Sequence, residues 1–198
     1  MKKERALDGS ILKLAGRNPA GCVCFLALAL MGALIGRALY RGLYLEALDA
    51  LLGGMHEMAA PRLNAAGALL YGAVPPLAYA ACMLLSGYRR WTLPLWGLAV
   101  LTQGALWGIG LGLCSTLIAA GYTRLGVAAI SIHALLLPAY GLMALLPLEK
   151  LRRKARPLDW DDVQSDVVAY LVPAAGAVIG GTLLASVTSV CALRLLFR

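Results

Sequence analysis

Charge is what this sequence has least of. Only 14% of its 198 residues are Asp, Glu, Lys or Arg, whereas a soluble domain carries about 25%. The signatures of catalysis are missing as well: there is no Gly-rich phosphate loop, no HExxH, no GxSxG, and no pair of carboxylates inside an apolar stretch. The Asp161, Asp162 and Asp166 group reads as a solvated helix start near Arg152 and Arg153. Histidine occurs only at His56 and His133, and two histidines without a carboxylate partner do not make a metal site. These absences predict a protein that is not an enzyme, with no catalytic residue, no cofactor and no bound metal.

What is present is apolar. Residues of that type make up 61% of the chain, and the mean hydropathy is +0.76. A soluble fold of this size still exposes much of its area to water and cannot hide that much apolar surface, so lipid must be its main solvent. The net charge of +8 does not indicate nucleic acid, because the basic residues sit in short clusters between apolar runs, as in a membrane protein. The five cysteines (Cys22, Cys24, Cys82, Cys114 and Cys191) lie in or against apolar stretches and have neither zinc-finger spacing nor a disulfide framework. Cys22 and Cys24 project about 200° apart on a helix and read as small hydrophobes. Lys2, Lys3, Arg5, Lys13 and Arg17 ahead of an apolar run resemble a signal peptide, but that run is too long and lacks a small-residue cleavage site, so it is expected to be a retained first span.

The expected fold is an all-α polytopic bundle in one domain, with five spans at about 20–40, 64–87, 93–120, 125–146 and 167–196. Asn18-Pro19 opens the first span as cap and first-turn proline. Residues 42–57 mix leucines with Glu46, Asp49 and Glu57 and predict a short interfacial helix, broken at Gly53-Gly54. Pro75-Pro76 must kink or interrupt the second span, since neither residue donates a backbone hydrogen bond, and Pro138 lies inside the fourth. The third span would measure about 42 Å as one helix, against about 30 Å of hydrocarbon, so it has to tilt, protrude or break. Asp159 is placed to cap the last helix.

Twelve of the eighteen Lys and Arg residues fall on one side of this plan: five in the N-terminal segment, Arg89 and Arg90 after span two, and Lys150, Arg152, Arg153, Lys154 and Arg156 after span four. The other side has six, at Arg37, Arg41, Arg62, Arg124, Arg194 and Arg198. The richer side is expected to be cytoplasmic, which puts the N-terminus inside and the C-terminus outside a bacterial cell membrane, with Arg89, Arg90, Arg152, Arg153, Lys154 and Arg156 as cytoplasmic anchors.

Glycine supplies the sharpest motif. Gly104, Gly108 and Gly112 recur every four residues, with shorter pairs at Gly32/Gly36 and Gly176/Gly180. Such a stripe lets a second helix approach to backbone contact, within one chain or, compatibly, between copies in a homo-oligomer. Buried polar candidates are few: Gln103, Ser131 and His133, with Asn64 at an edge. His133 is expected to make a structural hydrogen bond to a neighbouring helix. Ion-driven transporters usually hold ionisable residues at mid-membrane, and no Asp, Glu or Lys falls inside an expected core here. Arg37 is close enough to an end to snorkel.

The middle of the chain resembles the stage II sporulation protein M family. The resemblance is carried by Leu93-Pro94, by Gly104-Ala-Leu-Trp-Gly108-Ile-Gly-Leu-Gly112-Leu, by Gly121 in the following turn, by Ser131-Ile-His-Ala-Leu-Leu-Leu-Pro138-Ala-Tyr140, and by Met31-Gly32-Ala-Leu-Ile-Gly36. It covers about 100 residues of this sequence. Ser131, His133 and Ala134 stand where that family often has a proline with a Gln-Asn or His-Gly pair. The resemblance implies a non-enzymatic membrane anchor that holds peptidoglycan-degrading membrane proteins at the septum during engulfment. Residues 42–63, on the outer side by the charge count, are the expected partner contact. The competing expectation is an integral subunit of a small-molecule transporter coupled to an ATP-binding partner, in which helices broken at Pro75-Pro76 and Pro138 line a mid-membrane pocket.

Overall fold

A computed structural model describes residues 16–42, 65–87, 90–119, 121, 123–152 and 160–196. Those residues form five α-helices: α1 (Pro19–Gly42), α2 (Ala65–Ser86), α3 (Leu93–Ala119), α4 (Thr123–Arg152) and α5 (Trp160–Leu196), with a 3-10 turn at Arg90–Thr92. Among the described residues the fold is all-α. Four helices have stretches long and apolar enough to cross a membrane, at Pro19–Gly42, Leu93–Ala119, Thr123–Leu151 and Val167–Ser186, and α2 contains the shorter apolar stretch Gly72–Ser86. Val23, Leu26, Leu30 and Leu34 of α1 point outward, as do Val168, Leu171, Val172 and Ile179 of α5. Continuous outward apolar faces of this kind suit a membrane-embedded protein, because lipid covers them without the cost of exposure to water.

Helix boundaries differ from expectation where charge or proline had suggested a stop. α3 is one unbroken helix of 27 residues, about 40 Å long, so tilt or protrusion rather than a break must absorb its excess over the hydrocarbon thickness. Pro75 and Pro76 lie inside an uninterrupted α2, and Pro138 and Pro147 inside an uninterrupted α4. α4 runs six residues past its expected end, carrying Glu149 into a buried position, and α5 begins at Trp160, directly after the position expected to cap it, with its apolar stretch starting at Val167. A helix need not end where the membrane does, so hydropathy alone shortens both. Asp159, Arg89, Arg153, Lys154, Arg156 and the expected interfacial helix beyond Gly42 lie outside the described residues. Arg90 is in the 3-10 turn and Arg152 closes α4.

α3, α4, α5 and α2 form a ring, each packed on the next and α2 closing back on α3, while α1 lies outside the ring against α3. Contacts fix the directions. Gly32 of α1 faces Leu101, Gly36 faces Ala105 and Gly112 faces Tyr40, so α1 and α3 are parallel. Trp96 reaches Ala144 while Gly110 faces His133, so α3 and α4 are antiparallel. Gly87 lies against Pro147 and Tyr79 against Tyr140, so α2 and α4 are parallel.

Two helix ends are closed by local hydrogen bonds among the described residues. Ser86 Oγ donates to the Met83 carbonyl at 2.8 Å, and Thr92 Oγ1 donates to the Ser86 carbonyl at 2.8 Å, so the α2–α3 turn supplies partners for the helix end it closes. Gly121, with φ of +90°, ends α3, and its N–H donates to the Ile118 carbonyl at 3.0 Å. That left-handed backbone suits glycine.

Candidate functional site

Two features stand out when the bundle is built from its side chains: a backbone-to-backbone crossing of α1 on α3, and a cavity inside the four-helix ring.

At the crossing, Gly104 and Gly108 face the carbonyls of Ala29 and Ala33, and Gly32 and Gly36 face those of Leu101 and Ala105. A Cβ at any of the four would run into a backbone oxygen, so the helices approach this closely only because all four are glycine. Gly112 continues the stripe differently, with the Tyr40 ring over it. Tyr40 Oη and Thr116 Oγ1 are 2.7 Å apart, Arg37 Nη1 donates to Ser115 Oγ at 2.9 Å, and Ser115 Oγ donates to the Gly112 carbonyl at 2.6 Å. This polar cluster ties the ends of the two parallel helices together and gives Arg37 a partner.

The pair expected on α5 is not used in this way. Gly176 meets nothing within 4 Å, and Gly180 faces the Leu136 side chain. The close approach is at the next residue: Gly181 and Thr182 lie against Gly72 of α2, where a Cβ on Gly72 would strike the Thr182 backbone and one on Gly181 would strike the Gly72 carbonyl. A search for glycines four apart misses a crossing made from one glycine per helix. The visible signal was the Gly180-Gly181 doublet.

The ring is packed solid at the end where α3 begins. Met83, Val100, Met143 and Ala144 are completely or almost completely buried there, beside Tyr79, Trp96 and Tyr140. Trp96 Nε1–H donates to the Ala144 carbonyl at 2.8 Å. Tyr140 is the hub. Its ring meets Tyr79 edge-on at 5.0 Å and Trp107 edge-on at 5.5 Å, and Tyr79 O–H donates to its carbonyl at 3.4 Å. Sequence reading selected Gln103 as a buried polar residue, and Gln103 is buried; Tyr79, Trp96 and Trp107 were not singled out, because an aromatic in an apolar run carries no periodic signal.

Beyond Tyr140 the packing gives way to a half-open cavity of about 280 Å³ between α2, α3, α4 and α5. Pro75 and Pro76 line it from α2, Gln103 and Gly110 from α3, His133 from α4 and Gly181 from α5. His133 is not bonded to a neighbouring helix as expected: its Nδ1 is 2.9 Å from the Ala129 carbonyl one turn earlier in α4. Ser131 likewise bonds back within α4, to the Val127 carbonyl at 2.9 Å, and is exposed. Pro138 is on the exposed side of α4 and is not among the residues lining the cavity. No group of three or more His, Cys, Asp or Glu residues suited to a metal occurs among the described residues. The arrangement is a mostly apolar space with a few polar groups in its wall, of a size to hold a small molecule.

Compared with family models, curated proteins and solved structures, the chain matches none.

Proposed function

We propose that this chain is a five-span membrane protein, N-terminus cytoplasmic and C-terminus outside, that works as a scaffold for cell-wall hydrolase membrane proteins at the septum during sporulation engulfment. The observation that carries the scaffold reading is the α1–α3 crossing, in which four glycines lock two parallel helices backbone to backbone while their other faces remain apolar and outward. A fixed frame with lipid-facing surfaces suits a protein that positions other membrane helices. The identity of the partners rests on the resemblance of residues 93–140 and 31–36 to the sporulation family.

The five-span count is supported by helix direction. If α1 and α3 both cross the bilayer side by side in the same direction, the chain between them must return, and α2, 22 residues and about 33 Å long, is the helix available to do so. The orientation is supported by the excess of Lys and Arg on the side where α1 begins.

In-cell crosslinking of the tagged chain, followed by mild detergent purification and mass spectrometry, tests the scaffold. Co-purification of single-anchor peptidoglycan hydrolases is the expected outcome, and replacement of residues 42–63 by a Gly/Ser linker is expected to abolish it while leaving insertion intact. The cavity favours a second reading, an integral transporter subunit, in which an ATP-binding protein is recovered instead.

A further inference from the structure

We infer that the cavity inside the ring is a binding site for one small neutral amphiphile: an apolar body of about two rings carrying a single hydrogen-bond donor, which His133 Nε2 accepts. The inference holds whether the protein serves as scaffold or transport subunit, because it rests on the cavity alone.

Size sets the first limit. A dry cavity of about 150 Å³ takes one benzene, so about 280 Å³ suits a bicyclic body or its equivalent. Charge sets the second. Among the described residues lining the space there is no Asp, Glu, Lys or Arg, so an ion entering it would lose hydration with no opposite charge to compensate.

The hydrogen-bonding pattern sets the third. A carbonyl only accepts, so Nδ1 must carry a proton to bond Ala129, and in the tautomer with that proton alone Nε2 is a lone-pair acceptor. Among the described residues His133 makes no other hydrogen bond. Its position depends on Gly110, where a Cβ would come within 2.6 Å of Nε2. Gln103 and Tyr140 are also in the wall, and each can donate or accept a hydrogen bond. His133 Nε2 is the group there that asks for a donor. A phospholipid acyl chain has none and would leave Nε2 bare in a mostly apolar space.

The full chain in phosphatidylcholine nanodiscs, with empty discs as the partition control, tests this with 1-naphthol, a neutral bicycle with one O–H, and 1-methoxynaphthalene, the same ring without the donor. Trp107 lines the cavity and reports occupancy by energy transfer to the probe. Saturable binding of one naphthol per chain is expected, with the methoxy compound about tenfold weaker, as befits one lost hydrogen bond. His133→Phe should erase the difference between the probes while still binding the methoxy compound, and Ile109→Trp should block both. Equal affinity of the two probes for the native chain would overturn the assignment, as would uptake no greater than by empty discs or a co-purified phospholipid that naphthol fails to displace. If His133→Phe does not fold, the native chain with the two probes still decides.

Discussion

Gly108 and Gly176 are the same residue in two opposite settings. Gly108 lies on the Ala33 carbonyl, with no room for even a methyl group, whereas Gly176 has open space around it among the described residues. Gly108→Leu should therefore force α1 off α3 and destabilise the protein by about 1–3 kcal/mol, the usual cost of overpacking. Gly176→Leu should leave stability unchanged or slightly improved, since leucine is the better helix former. Thermal unfolding of both variants in detergent, followed by tryptophan fluorescence, separates the two; equal losses would mean that the stripe is not the contact that matters. His133 shows a similar contrast between identity and setting. Its type was conspicuous in the sequence, but its bond to Ala129 within α4 and its contact with Gly110 depend on how α3 and α4 meet.

At the scale of elements, α3 and α4 bring the polar side chains of Gln103 and Tyr140 into one cavity wall, where Tyr140 also meets the rings of Tyr79 and Trp107. Polar pairs between membrane helices contribute about 0.6 kcal/mol on average and at most about 1.7. A double-mutant cycle with Gln103→Leu and Tyr140→Phe should give a coupling energy in that range, and additivity of the two substitutions would show that the helices are held by packing alone. The helices themselves were largely legible in the sequence, because runs of about twenty apolar residues have few alternatives and Asn18-Pro19 and Gly121 mark ends by known backbone preferences. Their limits were less legible. Prolines at 75, 76, 138 and 147 look like breaks but are carried inside continuous helices, and the buried Glu149 extends α4 beyond its apolar stretch. The glycine crossing of α1 and α3 was readable as a spacing on each helix, though nothing in either helix alone names its partner. The cavity was foreshadowed only in the proline pair, because a void is a property of four faces brought together, and Gly72, Gly110 and Gly181 are ordinary glycines until the ring closes.

At the scale of the molecule, the directions of the helices constrain how the chain can lie in a bilayer. α1 and α3 run parallel and in contact, α4 runs back along α3, and α5 packs on both α2 and α4. A four-span arrangement that leaves α2 on the surface would have to send α1 and α3 across in opposite directions, which reverses the glycine register of Gly32 with Leu101 and Tyr40 with Gly112. The proposed five-span plan keeps that register and separates the termini. It predicts that a fluorescent protein fused to the N-terminus glows in the cytoplasm and that alkaline phosphatase fused to the C-terminus is active outside it. A cysteine placed at position 60, with the five native cysteines replaced by serine or alanine, should react with an impermeant maleimide in intact cells. If instead both termini report the same side, then α2 does not cross, and the parallel α1–α3 crossing and the glycine stripe that depends on it fall with the span count.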